Sequence, residues 1–209
     1  MGLGGRIAAQ LAHPRGGAGR AVGLVMDMVN RRPTSLAIDL LAPRAGELVL
    51  DAGCGTGVAA QRVLREADCR VVCVDRSGTM LASARRTLAL EEQERKVAFV
   101  DADLSALPLK DGSFDAALAL NVLYFCDHRA AMVSDLHRVL RRGGRLVAYV
   151  THRASMANWS FVQHGHHRLF DAEELHELLA LGGFAASRIK VHEHRITSSI
   201  RGLLAIAEA

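Results

Sequence analysis

The feature that most constrains this chain of 209 residues is a regular alternation of short apolar runs with helix-type patterns. The apolar runs have the length of strands and lie at residues 47–51, 70–75, 97–100, 114–120 and 145–150. Amphipathic segments separate them, and such alternation is typical of a mostly parallel sheet with helices on both faces. The sequence therefore predicts an α/β fold.

Helix signals fill the intervals between these runs, and two more strands follow the last helix. The predicted helices are 33–41 beginning at Pro33, 57–67, one from an N-cap at Ser77 to about 94, 128–141 ended by Gly143–Gly144, and one from a capping box of Asp171 and Glu174 to Gly182–Gly183. Residues 184–208 read as two strands without a helix between them, so they should pair antiparallel. We expect a Rossmann-like, seven-stranded sheet, parallel except for the last hairpin strand.

Composition excludes several classes of protein. Hydrophobic residues make up 50% of the chain and charged residues 23%, which excludes intrinsic disorder. No apolar run reaches the roughly 18 residues of a membrane span. The net charge of +4 comes without a basic helix or an aromatic-interleaved basic stripe, so we expect neither a nucleic-acid nor a membrane partner. The four cysteines lack metal or CxxC spacing, which favours reduced thiols and a cytoplasmic protein.

The first 32 residues differ from the rest of the chain. Their early part is basic and free of acidic residues, as in a transit peptide, but it lacks serine. We therefore interpret residues 1–32 as a lead-in segment that could cover the site as a lid, and residues 33–209 as the folded domain. The oligomeric state stays open, with a homodimer as one alternative.

A glycine loop follows the first strand. Asp51 is followed by Gly53, Cys54, Gly55 and Gly57, and ligands of parallel sheets bind beyond such carboxyl strand ends. Glycines let a ligand approach the backbone closely, although nicotinamide enzymes also have a glycine turn here. Asp75 ends the second strand and would point toward the same crevice. Its carboxylate could accept hydrogen bonds from both hydroxyls of a ribose.

Several ordered motifs make the chain resemble the class I S-adenosylmethionine-dependent methyltransferases, in particular the small-molecule branch around the ubiquinone/menaquinone biosynthesis methyltransferases. The motifs are VLDAGCGTG at 49–57, VVCVDRS at 71–77, DLSALPLKDGSFD at 103–115 and RVLRRGG at 138–144. The resemblance extends from about residue 33 to the end. It implies S-adenosyl-L-methionine as the cofactor and a small molecule as the methyl acceptor.

The resemblance also implies a role for each matching position. The backbone of Gly53–Gly57, including Cys54 and Gly55, would hold the methionine portion, with Asp51 near its amino group. The remaining implied contacts are Asp75 to the ribose, Arg76 beside the adenine, Asp103 to the adenine amino group, Leu104 on the ring, and Asn121 at the reactive end. Asp101 also precedes that segment, but Asp103 has the family's spacing to Leu107-Pro108.

Catalysis needs few dedicated groups, because the sulfonium of the cofactor is already a good leaving group. The enzyme must chiefly align the acceptor with the methyl carbon, and a base is needed only for a protonated acceptor. His152, just beyond the fifth strand, is the candidate proton acceptor, and Tyr124 is a candidate for positioning. The run Asn121-Val122-Leu123-Tyr124 lacks the Asn/Asp-Pro-Pro-aromatic signature of many nitrogen methyltransferases, which makes a macromolecular acceptor less favoured.

Residues 151–170 form an insert whose role the sequence leaves open. Trp159 and Phe161 fit either a substrate wall or lid packing, and the histidines at 164, 166 and 167 lack acidic or cysteine partners at metal-binding spacing. We therefore predict no metal. Residues 128–168 hold seven arginines and one acid, which fits a solvated face or an anionic substrate. Oxygen is the favoured methylated atom, with carbon, nitrogen or sulfur possible; the rival functions are an NAD(P)-dependent oxidoreductase and a non-catalytic scaffold.

Overall fold

The computed structural model describes residues 30–157, 159 and 168–209. The strands are β1 (Leu48–Ala52), β2 (Arg70–Asp75), β3 (Val97–Asp101), β4 (Phe114–Leu120), β5 (Leu140–Thr151), β6 (Ile189–Arg195) and β7 (Arg201–Glu208). The helices are α1 (Arg31–Leu41), α2 (Val58–Glu66), α3 (Gly78–Thr87), α4 (Ala89–Gln93), α5 (Ala131–Val139), α6 (Arg153–Met156) and α7 (Ala172–Leu181).

The strands form one sheet in the order β3-β2-β1-β4-β5-β7-β6. Strands β1 to β5 pair in parallel, and β7 runs antiparallel to both of its neighbours. One apolar cluster lies between the sheet and helices α5 and α7, and another lies between the opposite face and helices α1, α2 and α3. The predicted seven-stranded α/β sheet with helices on both faces is confirmed.

Helix α1 is amphipathic and packs on the sheet. It begins at Arg31, so Pro33 lies within its first turn, where a missing N–H removes no intrahelical hydrogen bond. Pro33, Ile38 and Leu41 are among the residues of its buried stripe. At its far end the Arg145 guanidinium donates to the Leu41 carbonyl oxygen at 2.6 Å and pairs with both carboxylate oxygens of Glu47. This contact ties the helix to strands β1 and β5.

Three predicted helices differ from the structure in their boundaries, the first only in that α1 begins at Arg31 and not at Pro33. The helix expected to run to about 94 stops at Thr87, because Leu88 turns into the core and the Gln61 side chain takes the Thr87 carbonyl at 3.0 Å. The helix expected over 128–141 spans only Ala131–Val139, since Ala130 has a left-handed backbone with φ of 57°.

The glycine pair expected to end that helix instead lies inside β5. Residue Leu140 already pairs with Phe114, whereas the next paired residues are Arg145 and Ala116, so residues 141–144 bulge out of the ladder. A Cβ at Gly144 would lie 2.8 Å from the Arg141 carbonyl oxygen. The close approach of two backbones therefore requires the glycine, and it marks a bulge rather than a helix end.

The two predicted N-terminal caps on the described residues are confirmed. Ser77 caps α3 through the Met80 amide, and Asp171 and Glu174 form a reciprocal capping box on α7. No helix among these residues combines the length and apolar character needed to cross a membrane. The lead-in up to residue 29 lies outside the described residues, so the boundary between 1–32 and 33–209 stays a prediction.

Candidate active site

A cavity of about 350 Å³ opens at the carboxyl ends of strands β1 to β5. Nine of the ten predicted cofactor residues line it, namely Asp51, Gly53, Cys54, Gly55, Asp75, Arg76, Asp103, Leu104 and Asn121. Gly57 is not among the lining residues. A Cβ there would meet Ala84 and Leu88 at 3.0–3.1 Å, so this glycine lets α2 and α3 pack closely.

The glycine loop is held by its own hydrogen bonds. Gly53 and Cys54 donate their amides to the Val74 carbonyl, and Gly57 donates to the Cys54 carbonyl. The Gly55 amide donates to Asp75 Oδ2 at 3.0 Å. These four loop amides are therefore already engaged within the protein, which leaves the loop few donors for an anionic ligand.

Gly53 and Gly55 of the loop differ in the space that surrounds them. A Cβ on Gly53 would lie 2.2 Å from Val122 Cγ1, and its φ is 75°, so a larger residue would clash. Gly55 has a φ of 53°, and a Cβ there would meet no atom of residues 30–157, 159 or 168–209 within 4 Å. The direction in which a Gly55 side chain would extend is thus open, and this residue lines the cavity.

Asp51 contributes a buried carboxylate to the lining of the cavity. Its side chain is 2% exposed, and Oδ2 has no hydrogen-bond partner among the described residues. Burial and the nearby charge of Asp75 raise its pKa to about 7, against the lowering effect of a hydrogen bond from the Ala60 amide. An unpartnered buried carboxylate is costly, and a cationic group in the cavity would relieve that cost.

Asp75 keeps acceptor capacity on both carboxylate oxygens. Oδ2 accepts the Gly55 amide and Oδ1 accepts the Ser77 amide at 2.8 Å. Each carboxylate oxygen has about two lone-pair sites, so each can accept one more hydrogen bond, as two adjacent hydroxyls would require. Burial raises the pKa of this carboxyl, partly offset by the two backbone amides.

The β3 side of the cavity carries Asp103, Arg76 and Leu104. Asp103 Oδ1 accepts the hydroxyl and amide of Ser105 at 2.6 and 2.9 Å, and these bonds hold its pKa below its ordinary value. Its other oxygen lies 3.6 Å from Arg76 Nη1. Arg76 in turn faces the Phe125 ring with its guanidinium carbon 6.0 Å from the centroid. Leu104 supplies an apolar surface beside them.

Cys54 of the glycine loop lies next to Cys73 of β2. The Cys54 thiol contacts Cys73, and this hydrogen bond together with burial holds the pKa of Cys54 well above its ordinary value. Both side chains are buried and both are free thiols. Cys54 therefore stays protonated at neutral pH and contributes a thiol rather than a charged nucleophile.

The two candidate catalytic residues do not line the cavity in the described part of the chain. Tyr124 is buried, and its hydroxyl donates to Asn121 Oδ1 at 3.1 Å. His152 is the N-cap of α6, since its Nδ1 accepts the Ala154 amide at 3.1 Å, and its Nε2 lies 3.9 Å from Glu193. The proton-acceptor role of His152 stays a prediction.

The cap gives His152 a testable structural effect. We expect His152→Ala to lower the free energy of unfolding by about 0.5–1 kcal/mol, because a helix N-terminus loses its side-chain acceptor, and His152→Asn to restore it. Thermal unfolding of the three proteins measures this. Turnover of the same variants between pH 6 and 9 distinguishes a general base from a helix cap. If His152 is a base, the loss of turnover should be largest near neutral pH, and the asparagine variant should show it as well.

Sequence reasoning missed part of the cavity wall. Asn30, Arg31 and Thr34 come from the start of α1, Arg62 from α2, and Tyr149 from β5. No local motif marks these residues, and only the packing of distant elements brings them together. Trp159 packs at the margin of the core, whereas Phe161 and the histidines at 164, 166 and 167 lie outside the described residues. No cluster of metal-ligating side chains occurs in the described ranges.

Comparison with known proteins identifies the domain. Residues 50–148 match the family model described as a methyltransferase domain. The chain carries a methyltransferase domain. The resemblance to methyltransferases is thereby confirmed for residues 50–148, and S-adenosyl-L-methionine is the cofactor that this resemblance implies. An O-methyltransferase of Pyrenophora dematioidea is 31% identical over 172 residues, which are 76% of this chain and 62% of that protein.

Two further relatives extend the comparison of the methyltransferase domain. A demethylmenaquinone methyltransferase of Thermus thermophilus is 41% identical over 113 residues, covering 53% of this chain and 50% of that protein. The chain thus spans between half and about three fifths of the length of these two curated relatives. A Haemonchus contortus phosphoethanolamine N-methyltransferase 2, solved with S-adenosyl-L-methionine, superposes with a TM-score of 0.76 at 16% identity, covering 90% of this chain and 56% of that one. That likeness supports the fold.

The residues of the cavity fit this cofactor on their own chemistry. The unpartnered Asp51 oxygen suits an ammonium group, Asp75 suits a vicinal diol, and Leu104 suits the face of an aromatic base. A nicotinamide dinucleotide fits less well. Its pyrophosphate would approach the Asp51 carboxylate and a loop whose amides are mostly engaged.

The Asp51 carboxyl makes a pH dependence of binding predictable. The pKa of the Asp51 carboxyl is raised to about 7. Below that pH the carboxyl of the ligand-free protein is protonated and no longer attracts an ammonium group. We expect the affinity for S-adenosylhomocysteine to fall toward tenfold per pH unit below pH 7, and Asp51→Asn to bind weakly with a flat profile. Calorimetric titrations from pH 5.5 to 7.5 measure this, and an equally steep profile in the variant would contradict it.

The same carboxyl has a predictable effect on stability. Its pKa is raised from 3.8 to about 7 on folding, so between these values the folded protein binds more protons than the unfolded chain. The stabilising contribution is complete below about pH 4 and is lost as the pH rises through 7. The ligand-free Asp51→Asn variant should therefore lose less stability than the wild type between pH 5 and 8.

Proposed function

We propose that this chain transfers the methyl group of S-adenosyl-L-methionine to an oxygen atom of a small-molecule acceptor. The observation that carries the proposal is the set of three carboxylates at the ends of adjacent strands. Asp51, Asp75 and Asp103 face one cavity, and one Asp51 oxygen is buried there without a partner among the described residues.

Each carboxylate would bind a different part of the cofactor. Asp51 would pair with the amino group of the methionine portion, Asp75 would accept both ribose hydroxyls, and Asp103 would accept the adenine amino group. Gly55 would lie against the ligand, because its position leaves the cavity open. Arg31 and Arg62 line the side of the cavity nearest to the start of α2 and would face the carboxylate of the methionine portion.

The chemistry that remains for the protein is alignment and exclusion of water. The bound cofactor supplies an activated methyl group. The chain would hold the acceptor oxygen in line with it, which converts an encounter in solution into a reaction between fixed partners. Asn121 and Tyr149 line the part of the cavity formed by β4 and β5, which is where such an acceptor would lie.

An oxygen acceptor of small size is supported by two observations. A relative that matches 76% of this chain carries the name O-methyltransferase. The cavity of about 350 Å³ has the volume of a small-ligand site. We extend the proposal to a cytoplasmic location, which the free cysteines support. We also propose that the protein has no nucleic-acid partner. A homodimer is the assembly to test by sedimentation.

The proposal is tested by binding followed by turnover. S-adenosylhomocysteine should bind in calorimetry, and NAD and NADP should not. Incubation with methyl-labelled S-adenosylmethionine and a metabolite extract of the host, followed by mass spectrometry, should then give a labelled ether or ester. Binding of NAD in place of the homocysteine would favour an oxidoreductase. Cofactor binding without any labelled product would favour a scaffold.

A further inference from the structure

A short hydrogen-bonded relay joins the ends of β4 and β5. The Thr151 backbone amide donates to the Tyr124 hydroxyl, and that hydroxyl lies 3.1 Å from Asn121 Oδ1. Tyr124 is 7% exposed, packed near Phe125 and Phe170. The relay is therefore built into the core rather than formed by mobile surface groups.

The structure assigns one direction to each hydrogen bond of this relay. A backbone N–H can only donate, so the Tyr124 oxygen accepts from Thr151 and directs its own proton toward Asn121. The structure places Asn121 Oδ1 as the acceptor of that proton, a role that the amide nitrogen could not fill. Burial raises the pKa of Tyr124, which keeps the hydroxyl protonated at neutral pH.

The arrangement leaves the Asn121 nitrogen as the end of the amide that is available to a ligand. Asn121 lines the cavity, and none of the described residues accepts a hydrogen bond from its Nδ2. Its φ of 57° is a left-handed conformation that asparagine tolerates better than most residues. Both the backbone turn and the hydroxyl of Tyr124 thus fix the direction of this side chain.

The sheet order places this amide away from the other polar groups of the cavity. Asp75 and Asp103 follow β2 and β3 on one side of β1, whereas Asn121 follows β4 on the other side. Tyr149 of β5 lines the same side. In the proposed function the nucleoside occupies the first side, so Asn121 faces the acceptor.

We propose that Tyr124 is a positioning residue that holds Asn121 Nδ2 toward the acceptor and thereby selects oxygen nucleophiles. An oxygen atom has a second lone pair that can accept from Nδ2 while the first attacks the methyl group. A nitrogen nucleophile has no lone pair to spare, and its N–H groups would face the N–H groups of the amide. The inference rests on the proposed function, because it names the acceptor class of that site.

The transfer is balanced without any further reactant. A bond forms between the acceptor oxygen and the methyl carbon as the carbon–sulfur bond breaks, and the electron pair of that bond stays on sulfur. A carboxylate or phenolate needs no proton transfer, and a neutral hydroxyl releases its proton to solvent. The Asn121 amide donates a hydrogen bond throughout and is not consumed.

The orientation of the amide is measurable without any acceptor. Neutron diffraction from crystals of deuterated protein with S-adenosylhomocysteine should show deuterium on the Asn121 atom remote from Tyr124. It should also show the Tyr124 deuteron between the two side chains. A map with the amide nitrogen facing Tyr124 would overturn the inference, whatever the reaction proves to be.

Selectivity is measured with matched acceptors that differ only in the reacting atom, such as phenol with aniline and hexanoate with hexylamine. We expect the wild type to favour the oxygen member in kcat/KM by about tenfold or more. Tyr124→Phe should reduce that ratio about tenfold while S-adenosylhomocysteine affinity stays within about twofold. Asn121→Asp replaces the donor by an acceptor and should shift the ratio further toward nitrogen. The Asn121→Asp variant therefore tests the same inference if the Tyr124→Phe protein is unstable.

The outcomes separate this inference from the proposed function. Ser113→Ala removes a side-chain hydroxyl just before the opposite end of β4, outside the cavity lining, and its oxygen-to-nitrogen ratio should stay at the wild-type value. Equal rates on both members in the wild type, or an unchanged ratio in both Tyr124→Phe and Asn121→Asp, would overturn the inference and leave the methyl transfer standing. Absence of any methylated product with bound cofactor would instead overturn the proposed function, and the neutron map would still decide the amide orientation.

Discussion

Replacing Gly55 with valine should abolish S-adenosylhomocysteine binding while the far-ultraviolet circular dichroism spectrum stays that of the folded protein. The residue lines the cavity, and a Cβ built on it has no atom of the described residues within 4 Å. Valine would therefore occupy space that the ligand needs. Its φ of 53° adds backbone strain of roughly 1–2 kcal/mol, which a domain of this size can absorb.

The backbone strain in Gly55→Val needs its own control. Gly143 has a φ of 73° and does not line the cavity. A Cβ built on it would have no atom of the described residues within 4 Å. Gly143→Val should thus show a similar loss of melting temperature with undiminished binding. Normal binding by Gly55→Val in calorimetry would mean that the loop is a structural turn only, and the assignment of the cavity would fail.

Replacing Asp75 with alanine should weaken S-adenosylhomocysteine binding by about 2–3 kcal/mol, or roughly 30- to 150-fold. The loss has two causes. The ribose hydroxyls would lose a shared charged acceptor, and the Gly55 amide would lose the carboxylate that holds the loop. Isothermal titration calorimetry at pH 7.5 measures the change, and an affinity equal to that of the wild type would remove Asp75 from the site.

The Asp75→Ala variant should also melt earlier than the wild type, since two backbone amides lose their acceptor. Asp101 offers a matched control. It pairs with Asp75 in the register of β2 and β3, yet it is exposed and does not line the cavity. Asp101→Ala should keep both the affinity and the melting temperature, which would show that a general change in charge does not explain the loss.

Local signals explain why so much of the fold was predictable. Strand β2 lies where a continuous apolar run ends in Asp75, and β4 coincides with the run at 114–120. The ends of such strands meet at one edge of a parallel sheet, so the sequence alone predicts that the glycine loop, Asp75 and Asp103 lie close together. The failures lie where tertiary packing overrides helix propensity, as at Leu88, which is fully buried.

Contacts between distant elements could not be predicted. Arg62 and Tyr149 carry no motif, and they reach the cavity because α2 and β5 flank it. The position of His152 after β5 predicts a place at the rim of the cavity, but the chain turns there into α6, and the ring caps that helix. For Tyr124 the sequence indicated a position near the site, whereas the direction of its hydrogen bonds requires the Thr151 amide, 27 residues further along the chain.

The hydrogen bond between Asp75 and the Gly55 amide has a kinetic consequence. The loop is held in its binding geometry before any ligand arrives, so no chain entropy must be lost when the complex forms. Stopped-flow traces of association should accordingly be single exponentials whose rate rises linearly with ligand concentration. The heat capacity change should be small, because it reports the surface that the ligand itself covers and no additional ordering of the protein.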